Sequence, residues 1–375
     1  MIGAARWNRE RGERASATLV TLTLITLTLI TLTLGACSSE GIASAGAFPL
    51  AGLPDPHETL GSASGTTPAA VLAADSGEAT RTRFANVNFH IAPGVVLEIR
   101  SLHGVMASLT PGAPVVFDDK RSFVIRIATA EVALDTASLG HLMNEHVFGY
   151  AGAPLRHLSF GTRNGELVQR GVLHKVIDIP FEMTARVTVT PDGLMRVHPT
   201  SMKIGSLDGM GLMKAVGVHL SNLLDTRKAH GVRVDKDDLL LDPVQLLPPP
   251  AIAGRVVAVR VEPGKLVQIF GDSIPPRAQQ PAPLTPPDTA SRNYMYFSGG
   301  TLHFGKLFMV HADMQIVDLN PADPFDFSID RYNDQLVAGY SKNQPDLGIE
   351  VYMPDITRIA AHPERAVASH VRTDR

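Results

Sequence analysis

Between Phe181 and Leu224 the apolar positions change period. Phe181, Met183, Ala185, Val187 and Val189 alternate with Glu182, Thr184, Arg186, Thr188 and Thr190, the spacing of a half-buried strand. Thr190-Pro191-Asp192-Gly193 supplies a turn: proline presets one torsion, aspartate closes a local hydrogen bond and glycine tolerates a positive φ. A second strand over about Met195 to Ile204 returns across the first. After Gly209 the spacing becomes helical, and Leu212, Met213, Val216, Leu220, Leu223 and Leu224 share one side, with His219 on the same apolar face. A hairpin that delivers an amphipathic helix onto its own face is the expected organising unit.

The same two periods organise the rest. Val87, Phe89 and Ile91 alternate with Asn86, Asn88 and His90; Pro93-Gly94 then turns the chain into Val95 to Met106, and Ser122 to Leu134 alternates again. A first helix is expected over Thr136 to Phe148, with Leu139, Leu142, Met143, His146, Val147 and Tyr150 on its apolar face and His141, Asn144 and Glu145 outside it. Strands follow over Leu155 to Gly161, Glu166 to Ile177, Gly231 to Asp242 and Ala253 to Gly271. The expected fold class is α+β: a mostly antiparallel, strongly curved β-sheet wrapped around two amphipathic helices, with a β-rich C-terminal extension.

Composition adds a location. Arg6, Arg9, Arg11 and Arg14 precede the uncharged run Ala17 to Leu34, and Leu34-Gly35-Ala36-Cys37 resembles the bacterial lipobox, in which the cysteine is acylated and the peptide is cut before it. A plain secretory peptide or an uncleaved anchor with a chance cysteine is the alternative. Cys37 is the only cysteine, so no intrachain disulfide can form. Removing residues 1–36 takes four arginines and two glutamates from a chain of net charge −3 and leaves −5. That balance lacks the basic footprint of a nucleic-acid binder.

The segmentation follows. Residues 1–36 are read as a lipoprotein signal peptide, and 37–82 as a flexible tether of small and polar residues too poor in large apolar groups to bury a core. Residues 83–273 form the main domain and 274–291 a proline-rich linker. Residues 292–358 make an aromatic, β-rich extension packed on the main sheet, and 359–375 a frayed tail.

No Gly-x-Ser-x-Gly elbow, phosphate-binding loop, His-Glu-x-x-His or calcium loop occurs, and no catalytic residue, metal site or cofactor is expected. On a helix His141 and Glu145 share a face but His146 points about 140° from His141, so the three do not converge on a metal. His146 and His219 on apolar faces suit buried, hydrogen-bonded side chains, polar contacts to a lipid or proton-transfer groups. Asp318, Asp323, Asp326, Asp330 and Asp334 are spaced as a solvated loop.

The exported domain of long antiparallel strands and amphipathic helices is similar to the tubular lipid-binding (TULIP-like) superfamily. Pro180-Phe181-Glu182 and Thr190-Pro191-Asp192-Gly193 carry the likeness within Gly171 to Leu224, which resembles uncharacterised bacterial lipoproteins of that sort. It resembles, more distantly, a mycobacterial family that includes a lipomannan-linked phospholipase. The resemblance implies an apolar groove holding a lipid or other amphiphile, lined by Leu139, Leu142, Met143, His146, Val147, Leu212, Met213, Val216, His219, Leu220 and Leu223. The expected protein is a membrane-anchored lipoprotein of the cell envelope, palmitate-modified at Cys37. Ser38 implies an outer membrane facing the periplasm, where the organism has one. The alternatives are an envelope lipid esterase or phospholipase, and a structural protein with an envelope protein partner. No nucleic-acid partner is expected.

Overall fold

The computed structural model describes residues 79–174, 177–205, 207–211, 219–271, 284–345 and 348–359. The signal peptide, Cys37, nearly all of the tether, most of the 274–291 linker and the tail lie outside these residues.

Order begins with β1 (Thr80–Ala92) and β2 (Val95–Ser108), antiparallel across Pro93-Gly94, where Gly94 has φ +71°. A Cβ there would lie 2.7 Å from the ring of His141, so both the turn and the close approach call for glycine. After the short β3 (Val115–Val116), β4 (Phe123–Asp135) pairs with β2. Asp135 caps α1 (Thr136–His141), its carboxylate accepting from the Ser138 amide at 2.6 Å. The helix widens at once into a π-helical turn, Leu142–Val147, in which the Phe148 amide donates to the carbonyl of Met143.

A second sheet follows as a meander: β5 (Leu155–Arg163), β6 (Glu166–His174), β7 (Asp178–Val189) and β8 (Met195–Ile204). The β7–β8 turn closes through Thr190, whose hydroxyl donates to Asp192 and accepts from the Leu194 amide at 3.0 Å, while Gly193 takes φ +87°. β9 (Leu207–Asp208) pairs with β8. After α2 (Leu220–Leu223), the hairpin of β10 (Val232–Asp235) and β11 (Asp238–Leu241) completes the order β10-β11-β8-β7-β6-β5.

The chain then rejoins the first sheet. β12 (Ala251–Ala253) runs parallel to the start of β4, and the hairpin of β13 (Val256–Glu262) and β14 (Lys265–Phe270) pairs with its end. On the exposed surface Arg100 bridges Glu131 at 2.7 Å and Glu262 at 2.6 Å, and these two carboxylates raise its pKa.

Residues after the linker extend this sheet from its other side. β15 (Tyr294–Ser298) pairs with the first half of β1, while β16 (Thr301–Phe304) and β17 (Leu307–Val310) join β3 in a three-stranded sheet. β18 (Asp313–Asp318) follows β15. β19 (Phe325–Ser328) runs parallel to the second half of β1, α3 (Tyr332–Ala338) follows, and β20 (Tyr340–Asn343) and β21 (Ile349–Met353) finish the edge. The change of partner along β1 falls at Asn86, whose φ is +55°, a region asparagine tolerates better than most residues.

The α+β expectation is corrected: the protein is essentially all-β, with three small helices among the described residues and no pair of helices wrapped by a sheet. The apolar faces of the two large sheets cover each other. The first expected helix is real but short and turns π-helical. Of the second, residues 212–218 lie outside the described residues, and α2 spans only Leu220–Leu223. The core continues under the C-terminal strands as an aromatic cluster around Phe117, whose ring packs against Phe123, Phe297, Phe304, Phe327 and Tyr332.

Candidate functional site: an apolar cavity between the sheets

Period-two alternation puts every second residue of each large sheet on the surface that meets the other. From the first sheet come Leu97, Ile99 and Leu102 of β2, Ile127, Val132 and Leu134 of β4, and Leu266 and Phe270 of β14. From the second come Leu167 of β6, Val187 of β7, Met195 and Val197 of β8, and Leu239 and Leu241 of β11. They do not fill the space between them: a cavity of about 70 Å³ remains. Among the described residues thirty side chains border it, and twenty-eight are apolar.

The helical segment closes one part of the wall. Leu139, Leu142 and Met143 line the cavity and are held there by Asn144, whose side chain bonds both backbone groups of Leu158 on β5 at 2.8 Å and the Gly140 carbonyl at 2.9 Å. Two sheet-to-sheet contacts fix the rims. The Gly264 amide in the β13–β14 turn donates to Thr162 Oγ1 at 2.7 Å, and the Arg255 guanidinium donates to the Pro191 carbonyl. Among the lining groups, Phe160, Leu247, Ile252 and Gln268 are only half-buried, so the cavity comes nearest to solvent beside them.

The other residues singled out from the sequence are distributed differently. Val147 and Leu220 are buried in the same core without bordering the cavity. His146 is exposed: a π-helical turn advances fewer degrees per residue, so α-spaced positions no longer share one face. His219 is exposed too, with Nδ1 3.1 Å from Asp237 Oδ2. The Leu220 amide, bonded to that carboxylate at 3.0 Å, and then His219 hold Asp237 below the usual carboxylate range. Leu212, Met213, Val216 and Cys37 lie outside the described residues, and Leu223 ends α2. His141 and Glu145 form an exposed pair at 3.0 Å. Among the described residues no group of three His, Cys, Asp or Glu side chains is placed to hold a metal ion.

The two polar lining residues, Gln169 on β6 and Gln268 on β14, were not singled out from the sequence. The signal was there: each occupies a position that alternation assigns inward, flanked by Leu167 in one strand and by Leu266 and Phe270 in the other.

A separate recess of about 490 Å³ and mixed lining lies beside β18 and β21, with Asp288, Arg292, Asn293, Asp318, Tyr340 and Tyr352 among its bordering residues. Tyr340 and Tyr352 stack with ring centres 4.8 Å apart. Burial pushes the Asp318 carboxyl up to about 6, with Asp355 and Asp323 adding to the effect and bonds from the Asn320 amide and Asn293 opposing it. The acidic run is thus split: Asp318 is buried, while Asp330 pairs with Lys120 at 2.6 Å.

Comparison with protein families, with curated proteins and with solved structures gives no match for this chain, and nothing in it identifies the tubular lipid-binding superfamily.

Proposed function

We propose that this protein holds the hydrocarbon part of a lipid or other amphiphile between its two large sheets, while an acylated Cys37 keeps it at a membrane of the cell envelope. The observation that carries the reading is the cavity's lining, apolar at twenty-eight of its thirty described positions and contributed by both sheets. An empty apolar space of about 70 Å³ destabilises a fold by roughly 1.7 kcal/mol, at about 24 cal/mol per Å³. An apolar occupant restores those contacts.

The resting space is about half the ~150 Å³ of an engineered apolar cavity that admits benzene. A slender chain therefore suits it better than a bulky ring system, and a longer occupant requires side chains to rotate. Met143 and Met195, both on the lining, have the unbranched, adaptable side chains for that. Neither His146 nor His219 borders the cavity, so the esterase alternative finds no histidine base there among the described residues.

The test is mass spectrometry of the purified full-length protein, native, delipidated and reloaded. A specific lipid that co-purifies and rebinds supports the reading; no ligand in any of the three states overturns it. For the anchor, metabolic labelling with a palmitate analogue should mark the wild type and fail on Cys37→Ser.

A further inference from the structure

Gln169 and Gln268 are the exceptions in an otherwise apolar wall. They come from opposite sheets, Gln169 from the second and Gln268 from the first. Neither is an accident of a strand end. On β6 the inward Leu167 and Gln169 alternate with Val168 and the exposed Arg170; on β14 Leu266, Gln268 and Phe270 alternate with Val267 and Ile269. Only 4% of Gln169 is exposed.

A side-chain amide brings two N–H donors and a carbonyl acceptor, and burying it without partners costs free energy that leucine or methionine at the same position would not. Neither amide hydrogen-bonds to any other described residue. Two such groups on one otherwise apolar wall are accounted for if the occupant supplies their partner.

We propose, building on the lipid-holding reading above, that Gln169 and Gln268 together recognise a neutral oxygen function carried by the bound chain: a hydroxyl, ketone or ester. The amides offer a donor to a carbonyl and both donor and acceptor to a hydroxyl. The charge of the wall fixes the neutrality. Among the described residues no lysine, arginine or histidine borders the cavity, so a carboxylate or phosphate drawn inside would find no cationic partner among them. The ligand class is therefore a neutral lipid, not a free fatty-acid anion or a phospholipid headgroup.

The experiment uses matched eight-carbon probes, octane, octan-1-ol, octan-2-one and octanoate at neutral pH, each competing with a fluorescent apolar dye on the full-length protein. Wild type should bind the alcohol and the ketone about tenfold more tightly than octane, a single net hydrogen bond's worth of discrimination, and octanoate no better than octane. The double variant Gln169→Leu/Gln268→Leu should bind octane, alcohol and ketone alike. Where that variant fails to fold, Gln268→Leu alone, at the half-buried position, should reduce the preference at least several-fold. Wild type that binds no probe overturns the cavity reading itself. Wild type that binds all the neutral probes equally, or variants that keep the preference, overturns the recognition role and leaves the cavity reading standing.

Discussion

Filling the cavity with the protein's own side chain separates a functional space from a packing defect. Val132 on β4 borders the cavity and is paired across the ladder with Gln268. Replacing it with phenylalanine, Val132→Phe, puts a benzyl group into the space beside the amide. Were the whole volume of about 70 Å³ filled without strain, the gain would be roughly 1.7 kcal/mol, against an overpacking penalty of about 1–3 kcal/mol where the ring is forced off its rotamers. The expected net change in the unliganded protein is therefore small, between about 0.7 kcal/mol more and about 1.3 kcal/mol less stable than wild type. Its effect on binding is large. A ligand at a hundred times its Kd stabilises the wild type by about 2.7 kcal/mol, and this increment should vanish in the variant. The assay is urea denaturation followed by circular dichroism, with and without octan-1-ol. A ligand-induced shift of wild-type size in Val132→Phe would refute the reasoning, because the probe would then be bound elsewhere.

Asn144→Ala removes two hydrogen bonds that tie the helical segment to β5 and a third within that segment, and a loss of about 2–4 kcal/mol in urea denaturation is expected, with weaker probe binding because Leu139, Leu142 and Met143 lose their support. Asp318 has its carboxyl pKa raised from 3.8 to about 6 in the folded protein, so the folded state holds the proton more tightly than the unfolded chain. The stability it contributes is present below about pH 4 and is lost as pH rises through about 6. Denaturation midpoints of Asp318→Asn should therefore improve relative to wild type between pH 4 and pH 7, and a difference independent of pH would count against this assignment. His146→Ala and His219→Ala, both at exposed positions, should each change stability by no more than about 0.5 kcal/mol and leave probe binding intact.

Local pattern made the second sheet readable. Alternation from Phe181 to Val189, the Thr190–Gly193 turn and the return over Met195 to Ile204 coincide with β7, its turn and β8, because a two-strand hairpin is fixed by contacts between neighbours in sequence. Helical spacing was less informative. Leu139, Leu142 and Met143 do face the core, yet the widening after His141 sends His146 outward, and a π-helical turn has no hydrophobic period of its own in so short a segment. What covers the sheets was not legible either. The Val87–Ile91 alternation identifies a strand with one apolar face, and that face is equally satisfied by a helix or by a second sheet. The partner of β1 in β15 lies outside any local window, since Arg81 stands opposite Ser298. Gln169 and Gln268 were passed over because polar residues inside a strand ordinarily read as outward positions; only the register, set by Leu167 and Leu266, turns them in.

The central place of β1 has a consequence for how the protein is made. One side of this strand is served at once by β2, but the other waits for residues 217 positions later, where Arg81 meets Ser298. At about 5–20 residues per second, synthesis leaves that edge without its partner for roughly 10–40 s. Throughout that interval Phe84 and Phe89 lack the β15 and β19 strands that later flank them. A chain cut short before Tyr294 would keep that sticky edge permanently, so nascent and truncated forms should depend on chaperones far more than the finished molecule does.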